Sequence, residues 1–305
     1  MSKIYTPAME KIEKKRRKKG NTKVRESTPA MEAWKRLKRN KTALLGITII
    51  FLLIVCALFP EQIAPYGEDE QNYSVAFTAP CSQYPLGTDN YGRDLLSRII
   101  FGCKTSLLIG ICSVGVSLLM GSICGLLAAY FGGPIDNLVM RITDIFYSLP
   151  SVLLAIAIAS ALGSSLPNLV MAISISQIPV FARVVRAAGI TVRNQEYMEA
   201  ARSIGCSSVR MMIRHMLPNA AAPLIVQATL GVATAILIGA SLSFVGVGIA
   251  PPTAEWGYML NAGRQYIRSA WYIITFPGVA IMITIFAMNL FGDGLRDALD
   301  PKMKR

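Results

Sequence analysis

The sequence predicts an all-α, polytopic membrane protein with six transmembrane helices and a helical loop on the cytoplasmic side. Hydrophobic residues make up 53% of the 305 positions and charged residues only 16%, which is too little charge to cover the surface of a soluble domain of this length. The mean hydropathy is +0.45. Charge-free stretches of about 20 residues, the length that crosses a bilayer as a helix, recur along the chain.

Six such stretches are separated by charged or turn-forming segments. The first span, residues 42–60, begins too far from the N-terminus for an ordinary signal peptide, so we expect it to remain as an uncleaved helix. The long uncharged run after Asp144 is interrupted by turn-forming residues at 163–168, so we expect it to contain two helices. The other spans are expected within residues 105–135, 220–254 and 269–292.

The distribution of basic residues predicts that both termini face the cytoplasm. The chain has 31 Lys and Arg against 18 Asp and Glu, and 15 of the 31 lie in residues 1–41. The segments assigned to the inner side are richer in Lys and Arg than those outside, as the positive-inside rule requires. We expect a basic cytoplasmic tail with an interfacial helix at residues 1–41, a first span at 42–60 and an extracytoplasmic loop at 61–104. A five-helix core at 105–293 contains the inner loop 183–219, and a cytoplasmic tail follows at 294–305.

The lysine-rich run at residues 14–19, read alone, is typical of a nucleic-acid-binding patch. Because it precedes a membrane span, we interpret it as an anchor on the cytoplasmic face and expect no nucleic-acid partner. Residues 30–41 place Trp34 and Leu37 one turn apart among basic residues. That pattern predicts a short helix at the level of the lipid headgroups.

No residue pattern indicates an enzyme or a metal site. The six cysteines form no Cys-x-x-Cys pair, and His215 is the one histidine, so neither zinc coordination nor a disulfide framework is expected. The sequence contains no zinc-protease motif and no nucleophile-elbow motif. Residues 102–105 resemble the end of a phosphate-binding loop, but that motif needs a glycine directly before Lys104 and another five residues before that one, and the chain has neither. We therefore expect no cofactor in this chain and no ATP site of its own.

Two spans carry a small residue at every fourth position, which places these residues on one face of each helix. Small side chains let two helix backbones approach closely, so we favour helix packing over pore lining, with both roles left open. The residues are Ser113, Ser117, Gly121, Gly125 and Ala129 in the second span, and Gly231, Ala235, Gly239 and Ser243 in the fifth.

Asp144 lies at the inner edge of the third span. Arg141 precedes it by three residues, which is one helical turn, and is the expected partner of the carboxylate. An acidic residue at the edge of a span is also a candidate functional group. The sequence does not decide between the two roles.

The inner loop is predicted to contain two short helices. The first is expected to end near Gly205, in the left-handed conformation that ends many helices. Ser207 or Ser208 is expected to cap the second helix, and Pro218 to end it.

The inner loop resembles the EAA loop of ABC importer permeases. The residues that carry the likeness are Glu199, Ala200, Ala201, Gly205, Leu217 and Pro218. The general pattern has an aliphatic residue where this chain has His215, and a histidine there is similar to the peptide-permease branch. Three further segments agree with that branch, at residues 34–46, 85–98 and 102–107. The likeness covers about residues 30–300, and the subtype resembles the C-type permease subunit of dipeptide, oligopeptide and nickel systems.

The resemblance implies a type I ABC importer permease fold and a function in ATP-driven, binding-protein-dependent import of di- or oligopeptides. The implied partners are a B-type permease subunit, two cytoplasmic ABC ATPases that bind ATP and Mg²⁺, an extracytoplasmic peptide-binding protein, and the membrane of a bacterial or archaeal cell. The resemblance implies that the six residues of the EAA likeness couple the permease to the ATPases. Leu217 and Pro218 are implied to do so by fixing the position where the chain leaves the loop.

Two alternatives concern the substrate and the energy source. Within the same family, the substrate is nickel or another small solute instead of a peptide. In a different class, an ion gradient drives the transport. Such secondary transporters usually place ionisable residues or broken helices near the middle of the membrane. The spans predicted here are nearly free of charge, which disfavours that class.

The outer loop carries two groups of charged residues. The first is an acidic run that we expect to contribute to docking of the binding protein, formed by Glu68, Asp69 and Glu70. The second is expected to hold the shape of the loop and to cap the helix that follows it, and consists of Asp89, Arg93 and Asp94.

Overall fold

The computed structural model describes residues 29–299 of the protein. The lysine-rich run 14–19 and residues 300–305, the end of the expected C-terminal tail, lie outside the described residues. The described part is built of helices and loops, and its β-structure is a single bridge between Thr88 and Asp94 in the outer loop. The all-α prediction is confirmed.

The helices are numbered here in chain order. They are α1 (Pro29–Leu37), α2 (Lys41–Leu58), α3 (Pro60–Ile63), α4 (Leu95–Phe131), α5 (Gly133–Tyr147), α6 (Ser151–Leu162), α7 (Leu166–Arg193), α8 (Glu196–Ser203), α9 (Ser208–Phe244), α10 (Trp256–Gly263) and α11 (Tyr272–Leu299). Short 3₁₀ turns lie at Tyr73–Val75 and Arg264–Tyr266.

Five of these helices, α2, α4, α7, α9 and α11, are long and apolar enough to cross a bilayer. Helices α5 and α6 reach that length only as a pair, which is bent by 86° at the break between them. Helix α6 has 12 residues, about 18 Å, and is too short to cross alone. The fold therefore has six apolar spans when the bent pair counts as one, and the third span is not a straight helix.

Helix α4 begins at Leu95, earlier than residue 105, where the second span was expected. Asp94 caps it, because one carboxylate oxygen accepts hydrogen bonds from the amide and the hydroxyl of Ser97 at 2.8 and 2.7 Å. The 37 residues of α4 measure about 55 Å, well beyond the hydrocarbon layer of about 30 Å. The last part of the expected outer loop is therefore the start of this helix.

Helices α4 and α7 pack against each other at the centre of the bundle. The small residues of α4 that face α7 are all buried, and they are Ser113, Ser117, Gly121, Gly125 and Ala129. A Cβ atom on Gly125 would lie 2.5 Å from the carbonyl oxygen of Ala182. The hydroxyl of Ser117 donates a hydrogen bond to the carbonyl of Ser174 at 3.0 Å. The two backbones approach this closely because the residues between them are small.

The small residues of α9 lie against α4 and α7. All four are buried, and they are Gly231, Ala235, Gly239 and Ser243. A Cβ atom on Gly239 would lie 2.8 Å from Cγ2 of Ile109 in α4, and one on Gly231 would lie 3.3 Å from Cζ of Phe181 in α7. Both rows of small residues thus lie at contacts between helices of this chain.

The prediction that Pro218 ends a helix is wrong. Pro218 lies inside α9, directly after a π-helical segment at Met211–Met216. Proline has no amide hydrogen, and its ring clashes with the carbonyl four residues earlier in an α-helix. In the π segment hydrogen bonds reach five residues back, as between the Leu217 amide and the Met212 carbonyl. The wider turn accommodates the proline, and the helix continues.

The carboxylate of Asp144 pairs with Arg183 of α7, so the expectation of Arg141 as its partner is wrong. The Oδ1 atom lies 2.7 Å from a guanidinium nitrogen of Arg183. Asp136 of α5 is paired in the same way with Arg186 of α7, at 2.6 Å. A partner on another helix lies closer because α5 packs against α7, which the spacing of residues along one helix does not reveal.

Candidate functional site

The inner loop between α7 and α9 carries most of the candidate site residues. After α8 the chain turns at Gly205, whose φ is +79°. The amide of Gly205 bonds the carbonyl of Arg202 at 3.0 Å, and the amide of Cys206 bonds the carbonyl of Ala201 at 3.1 Å. This pair of hydrogen bonds is the Schellman motif, which is built around a left-handed residue. The left-handed cap expected at Gly205 is confirmed.

Helix α8 is anchored to the bundle by one face only. Met198 is 1% exposed and belongs to the same buried cluster as two methionines of α9. Glu199 and Ala200 are exposed, and Ala201 is half-buried. The outer face of the helix therefore carries a carboxylate and the small methyl side chains of two alanines, while Met198 packs into the core.

Exposed apolar side chains flank α8 and the turn after it. The exposed fractions are 86% for Ile204, 60% for Val209, 58% for Ile213 and 45% for Tyr197. We name these four residues the apolar rim. A group of large apolar side chains this exposed marks a surface that another molecule covers. Sequence reasoning missed the rim, because apolar residues in short amphipathic helices are assigned to the core by default.

Three contacts tie the inner loop to the inner end of α4. The hydroxyl of Tyr130 donates a hydrogen bond to the hydroxyl of Ser208 at 3.2 Å. The guanidinium of Arg202 lies 5.8 Å from the centroid of the Tyr130 ring. Arg193 donates to the carbonyl of Ala129 at 3.3 Å. The inner loop therefore contacts α4 through residues of α7, α8 and α9.

The last two residues of the EAA likeness lie near the start of α9. Leu217 is half-buried and Pro218 is exposed. The side-chain amide of Asn219 donates to the carbonyl of His215 at 2.6 Å and to the hydroxyl of Tyr197 at 3.3 Å. The bond to His215 lies within α9, and the bond to Tyr197 ties α9 to α8.

A polar cavity opens beside α8. Its volume is about 430 Å³, and it is lined by Arg193, Asn194, Met198, Glu199 and Arg202. Two guanidinium groups, a carboxylate and an amide are able to bond with a polar protein surface, and the neighbouring alanines leave room for close approach. The arrangement suits contact with a protein partner, because protein interfaces combine an apolar centre with polar groups around it.

The charged residues of the outer loop form one connected cluster around Arg93. Its Nε lies 2.7 Å from Asp89 and another guanidinium nitrogen lies 2.8 Å from Asp69. Burial of the Asp69 carboxyl acts to raise its pKa, but hydrogen bonds from Arg93 and Gln71 and the nearby positive charges outweigh burial, so the pKa of Asp69 is lowered. The ion pairs of Arg93 therefore join separate segments of the outer loop, and they require ionised carboxylates.

The acidic run Glu68, Asp69 and Glu70 is partly engaged within the protein. The carboxylate of Glu68 accepts a hydrogen bond from the amide of Ala254, which joins the outer loop to the segment before α10. Glu70 accepts a hydrogen bond from the amide of Gly67 at 3.0 Å and is exposed. Of the three acids, Glu70 is therefore the most available to another molecule.

Metal ligands are not grouped in the part of the chain that the structure describes. Within residues 29–299, no three His, Cys, Asp or Glu side chains are placed to hold a metal ion together. The cysteines of that part are free thiols. Cys81 is exposed in the outer loop, and Cys206 is half-buried in the turn after α8.

Two family models match this chain. The model described as the binding-protein-dependent transport system inner membrane component matches residues 119–305, which is more than half of the chain and includes the inner loop. The model described as the N-terminal TM domain of oligopeptide transport permease C matches residues 28–80.

Several named transport proteins are similar over most of their length. The di/tripeptide transport system permease protein DppC of Pseudomonas aeruginosa is 47% identical over 283 residues, 91% of this chain and 93% of that protein. The dipeptide transport system permease protein DppC of Alkalihalophilus pseudofirmus is 46% identical over 277 residues, 91% of each chain. The glutathione transport system permease protein GsiD of Escherichia coli is 43% identical over 278 residues, 91% of this chain and 92% of that protein.

A solved structure of the MetNI methionine ABC transporter, in an inward-facing conformation, is similar in fold. The TM-score is 0.53 at 20% identity, over 67% of this chain and 96% of that chain. At this identity the likeness concerns the fold alone. The family match and the similar sequences go further, and together they show that the chain belongs to the family of binding-protein-dependent transport system inner membrane components.

Proposed function

We propose that this chain is the C-type permease subunit of an ATP-driven peptide importer, and that it forms a translocation pathway with a B-type permease subunit. The observation that carries the proposal is α8, a short helix with an exposed Glu-Ala-Ala face, fixed to the core by Met198 and ended by Gly205. The similar proteins are named as permeases for dipeptides, tripeptides and glutathione. Glutathione is itself a tripeptide, so the names support a peptide substrate.

Helix α8 is the proposed contact with a cytoplasmic ATPase, one of two such subunits in the importer, which bind ATP and Mg²⁺. Glu199, Ala200 and the apolar rim supply the surface. When the ATPases close, α8 moves with them as one piece, because α7 fixes one end and the Schellman turn fixes the other. Met198 and Tyr130 then transmit the movement to α9 and α4, which shift within the bundle.

The proposed location is the cell membrane of a bacterium or archaeon, with both termini in the cytoplasm. The support for this orientation is the number of basic residues. The proposed inner segments 1–41 and 183–219 hold 15 and six Lys and Arg, against three and two in the proposed outer segments 61–104 and 255–268. It places α8 on the side where ATP is available. The outer loop then faces the peptide-binding protein.

On the outer side, we propose that the acidic run contributes to docking of the binding protein, Glu70 most directly because it is exposed. Glu70→Gln should slow uptake mainly at limiting binding protein, and more at low salt than at high salt, because exposed charges are screened over about 10 Å at 0.1 M. Glu61→Gln, an exposed acid of α3, is the matched control. Unchanged uptake by the Glu70 variant at every concentration and ionic strength would show that Glu70 is only a solvated side chain.

The assembled importer in proteoliposomes tests the function. Uptake of labelled di- and tripeptides should require ATP, Mg²⁺ and the binding protein, and should continue after proton and sodium gradients are collapsed. A complex prepared without this chain is the control and should not transport. Uptake that needs a gradient and no ATP would identify a secondary transporter, and uptake of Ni²⁺ without peptide would identify a nickel importer.

A further inference from the structure

One face of α9 combines polar and apolar side chains and is not buried in the bundle. Its residues follow one another at steps of four and three, so they lie in a line along one side of the helix. They are Pro223, Gln227, Leu230, Thr234, Leu237, Ser241 and Phe244, each exposed or half-buried. We name this line the polar face of α9, because a hydrogen-bonding side chain recurs at every seventh position, at 227, 234 and 241.

The polar face is separate from the row of small residues on the same helix. That row is buried against α4 and α7, as the contacts of Gly231 and Gly239 show. The two sets of residues therefore occupy different sides of α9. Leu230 packs against Gly292 of α11, whereas Thr234, Leu237 and Phe244 are exposed on the surface of this chain.

The polar face also differs from the apolar surface of α4. Within residues 108–123 of α4 the half-buried positions, Leu118 and Ser122, add one hydroxyl and no amide. The exposed positions carry no side-chain nitrogen or oxygen, and they are Leu108, Ile111, Cys112, Gly115, Val116, Leu119, Met120 and Ile123. That composition is the one expected against lipid tails. Lipid tails offer no hydrogen bonds, so amide side chains within a span face protein or water instead. Gln227 therefore argues that the polar face is not in contact with lipid.

At its inner end, the polar face opens into a groove of about 410 Å³ between α7, α9 and α11. Gln227 lines this groove together with Arg296, near the end of α11. Among residues 29–299, neither side chain has a hydrogen-bonding or ion-pairing partner. A guanidinium and an amide that line the same groove are complementary to a carboxylate or a peptide carbonyl group.

Resting on the peptide-importer function proposed above, we propose that the polar face of α9 is the wall that this chain contributes to the translocation pathway, and that Gln227 and Arg296 contact the peptide at its inner end. Gln227 offers both a donor and an acceptor to the peptide backbone. Arg296 offers a positive charge to the C-terminal carboxylate.

The outer part of the polar face suits transient contact. Thr234 donates its hydroxyl hydrogen to the carbonyl of Leu230 at 3.2 Å, and Ser241 donates to the carbonyl of Leu237 at 2.7 Å. Toward the pathway these hydroxyls therefore offer only acceptor oxygens, separated by leucine side chains. Weak sites that alternate with apolar surface let a solute enter and leave without being trapped, as conduction requires.

Cysteine accessibility in the assembled importer tests the proposal. Gln227→Cys and Thr234→Cys are introduced singly, and native Cys112, exposed on the apolar surface of α4, is the control within the same sample. A small cationic methanethiosulfonate is added, and modification at each site is read by mass spectrometry. Because only the thiolate reacts and apolar surroundings suppress it, the introduced cysteines should react at least about tenfold faster than Cys112. A transported dipeptide, with binding protein and ATP, should slow their reaction.

The labelling has two outcomes that would overturn the proposal. Rates equal to that of Cys112 would place the polar face in lipid or in a buried contact with the second permease. Fast rates that the dipeptide does not change would show a water-exposed surface outside the path of the peptide. Wild-type uptake is measured in the same preparations, so a complex that takes up no peptide at all would count against the importer function and not against the position of this face.

Transport rates test the two side chains of the groove. At equal amounts of assembled complex, Gln227→Leu should lower the maximal uptake rate about fivefold, the effect of losing one neutral hydrogen bond. Leu119→Ala, on the apolar surface of α4, is the matched control and should transport normally. Arg296→Gln should slow uptake of a dipeptide more than uptake of its C-terminal amide. Equal effects on the acid and the amide would refute the contact between Arg296 and the carboxylate.

Discussion

Gly205 is the residue whose backbone conformation determines the shape of the proposed coupling loop. Its φ of +79° lies in the left-handed region, which costs other residues about 1–2 kcal/mol. Apart from its two neighbours in the chain, no residue has an atom within 4 Å of a Cβ built at this position. Space therefore does not limit substitution, and any effect of a side chain here comes from the backbone.

Gly205→Val should abolish uptake while the permease still inserts and assembles, because valine disfavours the left-handed turn that ends α8. Gly205→Asn is the control, since asparagine enters the left-handed region at little cost. Uptake and binding-protein-stimulated ATP hydrolysis are measured on complexes of equal amount. Wild-type uptake by the valine variant would show that the turn has no part in coupling.

Asp69 should make the stability of the outer loop depend on pH. Its pKa in the folded protein is lowered from an ordinary value of 3.8, so folding favours the ionised carboxylate. The stabilisation is therefore complete above that ordinary value and is lost as the pH falls through the lowered pKa. The thermal unfolding of the wild type is compared with that of Asp69→Asn, and the wild type should be more stable near neutral pH. A difference that persists unchanged in strong acid would rule out this ion pair as its source.

At the scale of elements, the close contact between α4 and α7 depends on glycines, which have no side chain to keep the two backbones apart. Gly125 faces the backbone of α7, and the nearest atom to an added Cβ is a carbonyl oxygen at 2.5 Å. Gly115 lies on the same helix, and nothing lies within 4 Å of its added Cβ. The two glycines thus allow the same substitution to be compared in closed and open surroundings.

Gly125→Ala should destabilise the folded permease by about 1–3 kcal/mol, because the methyl group forces the two helices apart. Gly115→Ala should be neutral or stabilising by up to about 1 kcal/mol, since alanine is the better helix former. Thermal unfolding in detergent and the yield of assembled complex are the measurements. Equal stability of the two variants would contradict the close packing of α4 on α7.

The helices also show where local rules gave the right answer and where they failed. Asp94 and Gly205 cap helices as expected, because a cap depends on residues only a few positions away. Pro218 does not end α9, because the π segment before it removes the clash that the rule assumes. Asp144 binds Arg183 because a neighbouring helix approaches more closely than the residue one turn away.

At the scale of the whole molecule, the proposed topology is tested by two native cysteines on opposite sides. Cys81, exposed in the outer loop, should react with an impermeant thiol reagent added to intact cells. Cys206, in the turn after α8, should react only after the membrane is opened. Cys81→Ser identifies the source of the outside signal. Rapid labelling of Cys206 from outside would overturn the orientation proposed from the basic residues.

Much of the fold was predictable from the sequence by itself. The apolar spans follow from runs of uncharged residues, since each span must satisfy its own backbone hydrogen bonds in lipid and does so as a helix. The Glu-Ala-Ala run with Gly205 marked the inner loop, and the loop has the helix and the left-handed turn that this pattern predicts. These features are local, so the order of residues is enough to determine them.

The tertiary structure alone decided which face of each span meets which neighbour. Lipid tails and helix surfaces are both apolar, so the hydropathy of a membrane helix does not tell packing from exposure. The sequence identified the small residues of α9, which are buried, and passed over Gln227, Thr234 and Ser241, which are not. The bend between α5 and α6 and the ion pairs of α5 with α7 likewise depend on how the helices pack against one another. Those contacts join residues far apart in the chain, and no local pattern specifies them.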